Sequence, residues 1–303
     1  MRVVVTGSTG LIGSALVPAL REAGHDVARL VRSTPRAPDE FVWNPAAGTI
    51  DPTALAGVEA VVNLAGAGIG DRRWTEARRR VIRDSRVLGT RTLVRALQAG
   101  DRPPQVFLQA SAVGWYGDRG EETLTEESAP GQGFLADVVR AVEAETEPLR
   151  AAGSQLCEGT RVCLARTGLV MSPTGGAFAP LLRLIRLGLG GRVGNGRQWW
   201  PWITLDDEVR ALLFLLEGSA AGPVNLTAPR PERNGPLIAA LGRAVGRPTP
   251  LPVPYPALRL AVGQFARDIL ASQRVLPARL VNEGFEFRHP DIADAAAWIT
   301  GKP

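Results

Sequence analysis

The first residues with types and spacing fit for chemistry lie at the start of the chain. Gly7, Ser8, Thr9, Gly10, Leu11, Ile12 and Gly13 follow the run Val3-Val4-Val5-Thr6. A glycine-rich loop between a strand and a helix brings backbone N–H groups close to a pyrophosphate, and the helix N-terminus favours its charge. Nineteen residues after Gly13 stand Arg32 and Ser33. An Asp or Glu in that slot bonds a ribose 2′-hydroxyl, whereas a guanidinium grips a 2′-phosphate through two bonds. The pattern predicts a dinucleotide site that takes NADP(H).

Such a loop works at the C-terminal edge of a parallel sheet, and the first half of the chain supplies one. Strands are expected at 2–6, 26–31, 41–43, 60–64 and 106–110, with a sixth flanked by 161–164 and 169–171. Helices are expected at 11–23, 74–99, 134–152 and 205–217. This alternation predicts an α/β protein, a Rossmann-like doubly wound parallel sheet with helices on both faces. Residues 1–171, with 203–220, are assigned to it. Residues 172–202 and 221–303 are assigned to a smaller C-terminal substrate lobe, in which 222–227 reads as a strand.

Composition narrows the classes. The 303 residues are 45% hydrophobic and 21% charged, which suits a soluble globule with a sizeable core. No apolar run reaches the roughly 18–20 residues that span a bilayer. A cytoplasmic protein is expected, with no membrane partner and as a monomer or homodimer. Cys157 and Cys163 read as small buried residues, not a disulfide framework. His25 and His289 lie far apart, and nothing has the spacing of metal ligands. The net charge of +5 is almost all arginine, because Lys302 is the single lysine. The densest stretch holds Arg72, Arg73, Arg78, Arg79, Arg80, Arg83 and Arg86. Glu76 and Asp84 interrupt it, which favours a solvated helix face over a nucleic-acid surface.

The Gly7-x-x-Gly10-x-x-Gly13 spacing, followed by Asn63-Leu64-Ala65-Gly66, resembles the short-chain dehydrogenase/reductase superfamily in its extended, epimerase/dehydratase branch. Asp71-Arg72-Arg73-Trp74-Thr75, Asp84-Ser85-Arg86-Val87 and Ser111-Ala112-Val113-Gly114-Trp115-Tyr116-Gly117-Asp118 are similar to one group within it. So are Gly188-Leu189-Gly190-Gly191, Gln198-Trp199-Trp200-Pro201-Trp202-Ile203 and Gln273-Arg274-Val275-Leu276-Pro277. That group is the atypical "epimerase family protein" set of bacteria and organelles, with a short C-terminal domain of its own, here from about residue 250. The resemblance covers essentially the whole chain.

It implies an NADP(H)-binding oxidoreductase or epimerase-like enzyme acting on a small-molecule substrate. Gly7 to Gly13 would take the pyrophosphate, and Arg32 and Ser33 the 2′-phosphate. Leu64, Ala65 and Gly66 would line the ribose side. Arg86 would point from the long helix to the cofactor, or else be surface charge. Ser111 stands where the superfamily serine orients the substrate oxygen.

The superfamily's Tyr-x-x-x-Lys pair should fall at 134–140. There the Lys lowers the Tyr pKa and the Tyr trades a proton with the substrate. This stretch holds neither residue. Tyr116, five residues after Ser111, is left as a catalyst or as pocket lining, and Asp137 and Arg140 stand on the helix. Trp199, Trp200 and Trp202 either wall the substrate pocket or fill the core between the lobes. The missing pair leaves a second reading open, a non-catalytic NADP(H)-responsive regulatory or interaction protein, related to cell division.

Overall fold

The computed structural model describes residues 1–100, 102–150 and 159–301. Its strands are β1 (Arg2–Thr6), β2 (Asp26–Val31), β3 (Glu40–Asn44), β4 (Thr49–Ile50), β5 (Ala60–Asn63), β6 (Val106–Ala112) and β7 (Thr123–Leu124). They continue with β8 (Arg161–Thr167), β9 (Leu169–Met171), β10 (Trp199–Trp200), β11 (Trp202–Thr204), β12 (Gly222–Leu226), β13 (Glu232–Arg233) and β14 (Arg274–Val275). The main helices are α1 (Leu11–Glu22), α2 (Glu76–Gln98), α3 (Phe134–Ala144), α4 (Glu147–Arg150), α5 (Phe178–Arg186), α6 (Leu205–Glu217) and α7 (Asn234–Val245). Shorter helices α8 (Tyr255–Val262), α9 (Ala266–Leu270) and α10 (Ala278–Asn282) precede α11 (Ile292–Thr300).

Apolar runs such as Val3-Val4-Val5 and Ala60-Val61-Val62 are buried on both sides, and parallel strands require this. They build one eight-stranded sheet in the order β12-β8-β6-β5-β1-β2-β3-β4. Every pairing in it is parallel except β3 with β4. The order reverses at β1, with β2 on one side and β5 on the other, so the crevice for a ligand opens there. Leu16, Val17 and Leu20 of α1 pack one face together with Leu212, Leu215 and Leu216 of α6. Leu93, Val94 and Leu97 of α2 pack the other. A second core joins Phe178 and Leu182 of α5, Trp202, and Leu237 and Leu241 of α7 to Ile299 of α11.

Several boundaries differ from the sequence expectation, each for a local reason. The helix expected over 134–152 stops at Ala144 and resumes briefly as α4. Pro148 has no N–H to continue the ladder, and the Thr146 hydroxyl donates to the Glu143 carbonyl at 2.7 Å. The long helix begins after Thr75, whose hydroxyl caps it, and Trp74 is buried ahead of it. The expected sixth strand is two strands. β8 enters the main sheet, whereas β9 pairs with β11. Gly168 separates them, and a Cβ there would lie 2.5 Å from the Pro201 carbonyl oxygen. Residues 222–226, assigned above to the small lobe, form the edge of the main sheet beside β8. The tail also crosses the expected boundary, because Leu280 and Phe285 join the core under the main sheet. Cys157, residues 151–152 of the expected helix and Lys302 lie outside the described residues. Among the described residues no helix is long and apolar enough to cross a membrane.

Candidate nucleotide site and its flanking loops

The glycine loop is built by close backbone approach. Gly7 has φ +67°, and a Cβ there would sit 2.8 Å from the Leu64 carbonyl group. A Cβ on Gly13 would sit 2.2 Å from the Gly7 carbonyl oxygen. Only glycine lets the loop after β1 lie on Leu64 and Ala65 after β5. Gly10 caps α1 without a side chain, so the first N–H groups of the helix are left to an outside acceptor.

A buried polar chain fixes this edge from below. The Thr6 hydroxyl donates to Asn63 Oδ1 at 2.6 Å and accepts from the Ala65 N–H at 3.0 Å. Asn63 Nδ2 donates to Gln109 Oε1 at 2.8 Å and to Thr90 Oγ1 at 3.2 Å. β1, β5, β6 and α2 are thereby held in one register beneath the crevice.

The loop that follows β5 is pinned by α2. Ser85 Oγ accepts from the Ala67 N–H at 3.0 Å, and Arg86 Nη1 donates to the Ala67 carbonyl at 2.9 Å. The Arg86 guanidinium lies over Gly66, where a Cβ would come within 2.9 Å of it. Burial, with Arg78 close by, lowers the Arg86 pKa to about 10, so the group stays charged at neutral pH. Arg78 donates to the Gly68 carbonyl at 2.5 Å, and the Trp74 indole donates to the Ile69 carbonyl at 2.8 Å. Arg86 is therefore not surface charge; it anchors the loop after β5. Arg80 pairs with Glu76 at 3.2 Å, and Arg79 lies 4.3 Å over the Phe134 ring. Four members of the arginine-rich stretch thus have internal partners.

Arg32 and Ser33 follow β2 directly, next to the glycine loop through the Thr6–Leu30 pairing. Both are exposed, and neither has a hydrogen bond or ion pair among the described residues.

A second constellation runs across the ends of β6, β8 and β12. Ser111, Arg166 and Asn225 are paired neighbours on these strands and form one transverse row. Ser111 Oγ donates to Glu143 Oε1 at 2.6 Å. Arg166 donates to both oxygens of Glu143 at 2.9 Å. Its guanidinium lies 4.0 Å over the Trp115 ring and 3.3 Å from the Tyr116 hydroxyl, which donates to Asn225 Oδ1 at 2.7 Å.

Glu143 and Arg166 escaped sequence reasoning. Each left one sign, a charge inside an apolar pattern: Arg166 after Val162–Ala165, and Glu143 beside Val139 and Val142.

The other expected site residues are not brought together. Tyr116 is 0% exposed, packed among Val113, Leu124 and Val275, and its hydroxyl proton is spent on Asn225. Burial raises its pKa above the ordinary phenol value, against the pull of Arg166. It does not face the crevice as a catalyst must. Asp137 and Arg140 are exposed and bond each other. The tryptophans part company too. Trp202 is core, and Trp200 donates to the Ile269 carbonyl at 3.0 Å. Trp199 lies between Arg233 and Arg274, with guanidinium carbons 4.4 and 4.9 Å from its ring. Among the described residues no group of His, Cys, Asp and Glu could hold a metal ion.

The sheet order, the switch-point crevice and the glycine loop match a known pattern. The model of the NAD dependent epimerase/dehydratase family matches residues 3–227. The chain belongs to that family. A domain of unknown function, DUF1731, matches residues 253–299 of this family member. The chain is 45% identical over 303 residues to the epimerase family protein Mb2239 of Mycobacterium bovis, across 99% of this chain and 98% of that one. It is also similar to the crystal structure of human epimerase family protein SDR39U1 with NADPH, at TM-score 0.88 and 30% identity over 99% of both chains. MoeE5 in complex with UDP-glucuronic acid and NAD matches at TM-score 0.77 and 21% identity, covering 99% of this chain and 98% of that one, which shows the fold alone. The resemblance and the fold class read from the sequence both hold.

Proposed function

We propose that the crevice binds NADP(H) and that the protein is an oxidoreductase or epimerase-like enzyme for a small-molecule substrate. One observation carries the cofactor choice. At the end of β2, beside the glycine loop, stands an exposed Arg32 with no partner among the described residues, and no carboxylate takes its slot. NADPH in the human relative supports the same choice. When bound, the nicotinamide donates or accepts a hydride.

The chain's own residues do the rest. The loop Gly7 to Gly13 and the open N–H groups of α1 hold the pyrophosphate. Leu64, Ala65 and Gly66, held by Arg86, form the wall beside the ribose. Ser111 has committed its proton to Glu143, so its oxygen offers lone pairs only. It accepts a bond from a substrate hydroxyl and so holds the alcohol form of the substrate. Tyr116 and Asn225 keep Arg166, and through it Glu143, in place.

Two outcomes are expected. In calorimetric titrations, Arg32→Glu weakens NADPH binding at least about a hundredfold and leaves NADH within a fewfold of the parent. Equal effects on both nucleotides would overturn the assignment. Against a panel of alcohol and carbonyl substrates, Ser111→Ala lowers NADP⁺ reduction by the alcohols about tenfold at unchanged NADP⁺ affinity, the scale of one lost hydrogen bond to the substrate hydroxyl. A second reading, an NADP(H)-responsive protein without catalysis, is favoured by the lack of Tyr and Lys on α3. NADPH binding with no turnover across the panel would select it.

A further inference from the structure

The segment 253–299 matches a domain to which no function is attached. In the structure it is not an appendage. If Arg32 marks the adenosine side, as in the reading above, the other half of a dinucleotide runs the opposite way over the ends of β5 and β6. Two walls flank that end: the loop after β5, up to Trp74, and the chain after β6, from Val113 to Glu126. Residues 262–276 join both.

On the first wall, the Trp74 N–H donates to the Val262 carbonyl at 3.2 Å, and the Phe265 ring stacks on the Trp74 indole at 4.7 Å. Gly263 has φ +69°, and a Cβ there would lie 2.8 Å from the Trp74 carbonyl oxygen. On the second wall, the Ser272 N–H donates to Asp118 at 3.0 Å and its hydroxyl to the Gly120 carbonyl at 2.7 Å. β14 pairs in parallel with β7. Between them, Gln273 Nε2 donates to two backbone carbonyls, Val113 at 3.0 Å and Gly117 at 2.9 Å. These carbonyls sit at the two ends of the single 3-10 turn Val113–Tyr116, which leaves the sheet one residue after Ser111. A carboxamide N–H₂ has two donors, and here both are spent on this turn.

We propose that residues 262–276 are a built-in brace across the reacting end of the crevice, with Gln273 as the positioning residue that fixes the turn after Ser111. The proposal rests on the nucleotide reading above. Its test uses the full-length protein and two probes, NADPH and 2′,5′-ADP. The second probe engages only the glycine loop and Arg32. Gln273→Ala weakens NADPH about tenfold, the weight of one or two buried hydrogen bonds, and leaves 2′,5′-ADP within twofold. Gln273→Lys, whose ammonium also donates to both carbonyls, restores part of the loss. Phe265→Leu loosens the opposite wall and gives the same split, so a poorly folded Gln273 variant does not end the test. Equal losses for both probes mean a merely structural role and overturn the brace, as does an unchanged NADPH affinity. A parent protein that binds neither probe overturns the nucleotide reading, and the brace falls with it. A parent that binds both, with no split in either variant, overturns the brace alone.

Discussion

Arg166→Met is expected to destabilise the fold by about 3–5 kcal/mol, because it strands Glu143 as an unpaired carboxylate in the core. The side chains of the two partners are 3% and 8% exposed, and the pair is bidentate at 2.9 Å. Replacing both members, Arg166→Met with Glu143→Leu, is expected to recover most of the loss, since apolar side chains of similar volume need no partner. Urea unfolding midpoints of the parent, the single variant and the double variant read this directly. A double variant as unstable as the single one would mean that the pair is not what the region depends on. The same variants report on Ser111, whose hydroxyl loses its acceptor when Glu143 is replaced.

The second large effect concerns pH. Glu208 is 1% exposed at the start of α6. Thr167 donates to one of its oxygens at 2.8 Å, and the other is buried without a partner among the described residues. Burial pushes its pKa up to about 8. The folded chain therefore keeps this proton at neutral pH, whereas the unfolded chain, near the ordinary 4.5, releases it. The group's contribution is fully present below about pH 4.5 and is lost as pH rises towards 8, at roughly 1.4 kcal/mol per pH unit. Glu208→Gln cannot ionise and still accepts the Thr167 bond. It is expected to match the parent at pH 4.5 and to exceed it at pH 8.5 by several kcal/mol, on the order of three to five. Urea midpoints of the two proteins at both values check this. A stability difference that stays constant with pH would show that Glu208 does not titrate in this window.

The glycine loop and the strands around it were legible because they are local. Gly7, Gly10 and Gly13 follow a β-branched strand, and Arg32 follows the next one, so strand, turn and helix signals agree within 35 residues. The parallel sheet was legible for the same reason, since apolar strands alternate with amphipathic helices. What escaped depends on pairings distant in sequence. Tyr116 next to Ser111 reads as a site residue, but Asn225, 109 positions on, draws its hydroxyl into the core. Glu143 and Arg166 meet across a helix and a strand. The edge strand Gly222–Leu226 was misplaced because nothing within it says which sheet it joins. Gln273 reads as an ordinary polar residue until the backbone of Val113 and Gly117 is placed beside it.

That last contact also sets an order of events. Gln273 and the carbonyl of Val113 are 160 residues apart in the chain. During synthesis the glycine loop and Arg32 leave the ribosome well before Gln273 and can fold with their neighbouring strands. The turn after Ser111 waits for a partner made 160 residues later, and closing so long a loop is slow. On the proposed nucleotide reading, a nascent chain grips the adenosine end of a nucleotide before it holds the reacting end in place. On that reading, completion of the reacting end waits for the synthesis of residue 273, and a chain stalled before it lacks the contact that fixes the turn after Ser111.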